Sequence, residues 1–68
     1  MMIEYRSIDF QKASAIHGAL CKAGIKATLK PNVMKGDANV HQLELPDADK
    51  TRATPIIDQY KSMISYGD

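Results

Sequence analysis

Met1 to Arg6 alternates, with Met1, Ile3 and Tyr5 on one side and Met2, Glu4 and Arg6 on the other. A period of two predicts a half-buried strand. From Phe10 the spacing turns helical. Ala13, Ile16, Leu20 and Ala23 form one stripe, His17 lies at its margin, and Gln11, Ala15, Gly18 and Lys22 lie opposite. A helix over 9–23 is predicted, with Asp9 as its N-cap and Gly24 as the left-handed residue that ends it. Alternation returns at Ile25, Ala27 and Leu29, and Pro31 is expected to close this second strand, because proline has no amide to give a central ladder. Residues 32–39 read as a loop holding the turn signal Lys35-Gly36-Asp37. Val40 to Leu45 forms the third strand, with His41, Leu43 and Leu45 inward and Gln42 and Glu44 outward.

The last segment carries a conflict. Ala53, Ile56, Ile57, Tyr60, Met63 and Ile64 make an apolar stripe for a helix over 47–64, capped by Asp47, yet Pro55 stands inside it. A proline in a helix interior removes one backbone bond and costs about 3 kcal/mol. The reading adopted is a helix kinked near Thr51–Pro55. The rival is a turn over 47–52 followed by a helix with Thr54 as cap and Pro55 at its first position.

The element order is β-α-β-β-α. Short connections and right-handed crossovers favour an antiparallel sheet in order 1-3-2 with both helices on one face, an α+β ferredoxin-like sandwich lacking its last strand. At 68 residues, with no linker or repeat, the chain reads as a single domain over 1–68. The missing strand would have paired beside the first, so residues 1–6 keep an open edge that can template a strand from a second copy or from a partner.

Composition narrows the function. Nine Lys+Arg against eight Asp+Glu leave +1, which argues against a strongly basic nucleic-acid binder and against an acidic disordered tail. The free sheet face, carrying Glu4, Arg6, Lys26, Thr28, Lys30, Gln42 and Glu44, has none of the aromatics that stack RNA bases. Basic residues concentrate in the first half of the chain, and Lys26, Lys30 and Lys35 form a candidate anion-binding patch. No apolar run approaches the ~18–20 residues of a membrane span, and the start lacks the basic and apolar regions of a signal peptide. One cysteine excludes an internal disulfide framework and points to a cytoplasmic setting.

Catalytic chemistry finds little support. His17 and Cys21, four apart on one helix, would share a face, and His41 could join them, but zinc wants four placed ligands or three plus water. A thiolate at Cys21 would face the unfavourable end of the helix dipole. The chain carries no nucleophile elbow, calcium loop or phosphate-cradling glycine motif. No enzyme, metal or cofactor is expected.

The pattern resembles a known family. A strand, a helix ending Lys22-Ala23-Gly24-Ile25, and a hairpin ending Leu45-Pro46-Asp47-Ala48-Asp49 into a second helix resemble the DUF2007-type small bacterial signal-transducing proteins. The same order is similar to the cytoplasmic N-terminal domain of GlpG-type rhomboid proteases. Both resemblances span about residues 2–64, and Pro55 departs from either pattern. They imply a small regulatory or interaction module and offer no catalytic residues.

The expected function is therefore a non-enzymatic, bacterial or phage-encoded, cytoplasmic module acting through protein contacts, with a homodimer as one form. Its expected contact residues are Ile3, Glu4, Tyr5 and Arg6 at the strand edge and Val33, Met34 and Lys35 in the loop. The alternatives are a cytoplasmic domain of a rhomboid-like membrane protein, and a phosphate- or nucleic-acid-binding module using Lys26, Lys30 and Lys35. Direct membrane insertion is not expected.

Overall fold

The computed structural model describes residues 1–60. Three strands, β1 (Met2–Arg6), β2 (Thr28–Lys35) and β3 (Ala38–Glu44), form an antiparallel sheet in order β1-β3-β2. Helix α1 (Phe10–Lys22) connects β1 to β2, and α2 (Lys50–Gln59) follows β3. This is the α+β order β-α-β-β-α expected from the sequence. Among the described residues, no helix is long and apolar enough to cross a membrane.

The core follows from the two periodicities. Ala13, Ile16 and Leu20 recur along α1 at the spacing of one helical face and are buried. Ile16 and Leu20 cluster with Leu43 from β3, Leu45 just after it, Ile25 before β2, and Ala53 from α2. Met1, Ile3, Tyr5, Ala27, Leu29, Ile56, Ile57 and Tyr60 pack around this cluster. Both helices thus cover the sheet face that carries Ile3, Leu29 and Leu43, three residues that share one cross-strand row. Tyr60 closes the described part of the predicted C-terminal stripe; Met63 and Ile64 lie outside the described residues.

Helix ends differ from expectation in their chemistry. Asp9 occupies the N-cap position of α1, but its carboxylate makes no capping bond and instead accepts from Arg6 Nε at 3.5 Å. A 3-10 turn (Ser7–Asp9) precedes the helix, so the chain enters it already coiled. Asp47 likewise does not cap α2. Its carboxylate accepts from the Met1 ammonium, and α2 starts only at Lys50, with Asp49 at the N-cap position. Gly24 ends α1 as expected, with φ +84°, and its amide donates to Cys21 O at 3.0 Å. Arg52 of α2 adds a bond from Nη2 to Ala23 O at 2.7 Å, which ties the end of one helix to the side of the other.

Pro55 lies inside α2. The helix begins at Lys50 after a 3-10 turn (Asp47–Asp49) and continues through the proline to Gln59, so Pro55 is not a first-turn residue and Thr54 is not a cap. The Thr54 hydroxyl donates to Lys50 O at 2.8 Å, on the turn that approaches the proline. Pro55 is exposed while Ala53 is buried, so the missing backbone bond falls on the solvent side.

Strand β2 departs most from the reading. It starts at Thr28 rather than Ile25 and runs through Pro31 as far as Lys35. Only Gly36 and Asp37 remain as the turn, with Gly36 at φ +60°, which suits the first position of a II′ hairpin. The register slips between Lys30, opposite Gln42, and Val33, opposite Val40. Pro31 and Asn32 together stand opposite the single residue His41, so β2 carries one extra residue at this bulge, and Asn32 takes φ +58°. Proline survives here because β2 is an edge strand.

Candidate functional site: the edge of the first strand

Which backbone groups β1 turns outward follows from one contact. The Met1 ammonium donates to Leu45 O at 2.9 Å and the Leu45 amide donates to Met1 O at 3.0 Å. In an antiparallel ladder, residues alternate between pairs that exchange both bonds and pairs that exchange none. With Met1–Leu45 bonded, Ile3–Leu43 and Tyr5–His41 are bonded too, given the register. Met2, Glu4 and Arg6 then turn their N–H and C=O groups away from β3. Among the described residues, no strand pairs with β1 on that side.

The opposite edge of the sheet is built differently. By the same alternation Thr28 and Lys30 face β3, so Leu29 and Pro31 face out. Pro31 has no amide to offer, and the next amide, Asn32, is turned inward to His41 Nδ1 at 3.1 Å. A proline followed by a bulge interrupts the row of donors and twists the strand away, a common protection of sheet edges. The β1 edge has neither device.

The side chains along β1 divide between the two faces. On the outer face, Glu4 Oε2 accepts from Gln42 Nε2 at 3.0 Å and pairs with Lys35 Nζ at 3.0 Å. The hydrogen bond from Lys35, helped by that from Gln42, holds the Glu4 carboxyl below its ordinary value of 4.5, so its charge persists to lower pH. On the inner face, the ring of Tyr5 packs on the core, yet its hydroxyl is buried without a hydrogen-bond partner among the described residues. Burial pushes this phenol up from 10.0. Met2, and Ile8 just beyond the strand, are exposed apolar side chains, Ile8 to 77%.

The residues expected in a contact loop are instead part of the sheet. Val33 and Lys35 are paired in β2 with Val40 and Ala38, and Met34 with Asn39. The bulge explains the change. Continued alternation from Lys30 would have put Val33 and Lys35 on the helix side, but the one extra residue carries them to the outer face, where Lys35 reaches Glu4. Met34 lands on the opposite face near the hairpin tip and is 63% exposed.

His41 organises this end of the sheet and its role was not read from the sequence. It is only 3% exposed. Its Nδ1 accepts from the Asn32 amide, so the proton sits on Nε2, which donates to Ser7 O at 2.9 Å. Its ring meets Phe10 edge-on at 5.1 Å. One side chain thereby holds the end of β1, the bulge in β2 and the start of α1. The available signal was Pro31-Asn32 within an alternating stretch, a pair that favours a break and a left-handed residue.

The remaining candidates are dispersed. Lys30 pairs with Glu44 at 3.6 Å and Lys35 with Glu4, so two of the three lysines proposed to meet an anion already face carboxylates. Lys26 lies before β2, beside a shallow polar pocket with Thr28, Glu44 and Asp47. His17 and Cys21 do come together, with Nε2 and Sγ 3.6 Å apart, but the same Nε2 bonds Ala27 O at 3.0 Å. That nitrogen must carry a proton to donate to a carbonyl, so it is not positioned to take one from the thiol. His41 is committed elsewhere, and among the described residues no three His, Cys, Asp or Glu gather around a common point. No family model matches the chain, and comparison with curated proteins and with solved structures returns no match.

Proposed function

We propose that this chain is a non-enzymatic, regulatory interaction module of the cytoplasm that joins a protein partner by strand addition along β1. The observation that carries the reading is the contrast between the two edges of one sheet. The β2 edge is interrupted by Pro31 and the bulge at Asn32, whereas β1 turns the backbone groups of Met2 and Glu4 outward in regular extended geometry. Backbone bonds would supply affinity, and the alternating side chains of Met2, Glu4 and Arg6 would supply selectivity.

The position of Glu4 makes the test clean. Its amide points away from β3, so Glu4→Pro removes an outward donor and leaves the internal ladder intact, whereas a proline at Tyr5 would break it. Wild type and Glu4→Pro are compared by light scattering over a concentration series and as parallel baits for affinity capture, with amide spectra verifying that the variant is folded. Association by the wild type, with itself or with a captured chain, that disappears in the folded variant is the expected result. Association that survives Glu4→Pro would overturn the strand-edge reading.

A further inference from the structure

We infer that the strand added to β1 is the β1 strand of a second copy of this chain, paired antiparallel so that Glu4 of each copy lies opposite Arg6 of the other. The inference rests on the strand-edge reading above and specifies its partner and register.

Geometry first restricts the choice. Only Met2, Glu4 and Arg6 turn backbone groups outward, so residues that exchange bonds across a symmetric pair must be drawn from these three. Three registers do so with at least two such pairs. One brings Met2 opposite Glu4 with Ile3 at the two-fold axis. A second brings Glu4 opposite Glu4 of the other copy, with Met2 opposite Arg6. The third brings Glu4 opposite Arg6 twice, with Tyr5 at the axis.

Side-chain chemistry then separates them. The second register puts like charges directly opposite, which is unfavourable in a sheet, and the first leaves each carboxylate beside a thioether. The third supplies two reciprocal ion pairs on the outer face and an aromatic pair on the inner face, both favourable cross-strand combinations. Glu4 is suited to this because Lys35 and Gln42 already hold its carboxylate charged and oriented. Arg6 contacts Asp9 through Nε at 3.5 Å among its interactions, and in this register it stands directly opposite the Glu4 carboxylate of the other copy. Both side chains lie on the same sheet face because they are two apart in the strand. The product is one continuous sheet made from two three-stranded halves, its helices all on one side, with the Pro31-interrupted β2 strands at both outer ends.

Charge reversal tests partner and register together. Glu4→Arg alone would place Arg opposite Arg, and Arg6→Glu alone would place Glu opposite Glu. Each should weaken self-association on the order of tenfold or more. An equimolar mixture of the two variants restores a complementary pair at both positions, as does the double variant Glu4→Arg/Arg6→Glu on one chain. Sedimentation equilibrium on wild type, each single variant, the mixture and the double variant reads this directly, with amide spectra verifying folding. The expected pattern is a dimer for wild type, mixture and double variant, and monomers for the singles. A dimer retained by Arg6→Glu alone would overturn the register and leave the strand edge standing. A mixture and a double variant that both stay monomeric would overturn it equally. A wild type monomeric at every concentration would overturn the second copy as occupant, while the capture arm with Glu4→Pro still decides whether the edge binds another protein.

Discussion

Two polar side chains inside this small domain are treated very differently by their surroundings. His41 has both ring nitrogens bonded, one from the Asn32 amide and one to the Ser7 carbonyl, and each bond joins a different element. The Tyr5 hydroxyl is buried with no partner among the described residues. An unmet buried hydroxyl costs about 1–3 kcal/mol, so removing it should help. Tyr5→Phe is expected to raise stability by about 1 kcal/mol, read as a higher urea midpoint at unchanged slope. A lower midpoint would mean that the hydroxyl finds a partner in the folded protein. The sequence placed both residues on the inward face correctly, because alternation alone decides the face. It could not say which polar tip would be satisfied, because the partners are backbone groups 9 and 34 residues away in the chain.

At the scale of elements, the period of apolar positions was a sounder guide than punctuation by proline. Pro31 was expected to end a strand and lies within one; Pro55 lies inside a helix, as in the reading adopted, and the rival start at Pro55 is excluded. In each case the missing amide faces solvent or an unpaired edge, so the local penalty is small enough for packing on either side to override it. For α2 this is testable. Pro55→Ala restores a bond to the preceding turn without touching the buried face defined by Ala53. Relief of the interior-proline penalty, reduced by the greater freedom of the unfolded variant, should stabilise the domain by about 1–2 kcal/mol. Thermal unfolding checks this, and an unchanged or lower midpoint would show that the helix already accommodates its proline without strain. The same logic accounts for the contact residues Val33, Met34 and Lys35. Their sequence suggested a loop because nothing in it announces that one extra residue will be absorbed as a bulge.

For the whole molecule, size dominates. A domain near 60 residues buries only about 60% of the surface of its unfolded chain, so its margin is narrow. Leu43 is fully buried at the centre of the middle strand, between Ile3 and Leu29, under the helices. Leu43→Ala should cost about 2–5 kcal/mol, enough to leave a large unfolded fraction at room temperature. Circular dichroism against temperature would show this, and a variant that unfolds cooperatively at the wild-type midpoint would refute the placement of the core. Pairing along β1 would couple stability to concentration, because the associated form is folded and the unfolded chain does not pair.

Taken alone, the chain determined its element types and order, most of the inward residues among those described (Ala23, expected on the α1 stripe, is exposed) and the Gly24 stop, because these depend on periodicities and backbone preferences acting within a few residues. The 1-3-2 sheet order also followed, since short connections leave few alternatives. Only the tertiary structure decided the register slip at Pro31 and Asn32, the capture of the Asn32 amide by His41, and the meeting of Lys35 with Glu4. Each depends on groups far apart in sequence finding one another once the core has closed. The difference between a blunted β2 edge and a regular β1 edge belongs to this second kind, and it is the feature from which the function is argued.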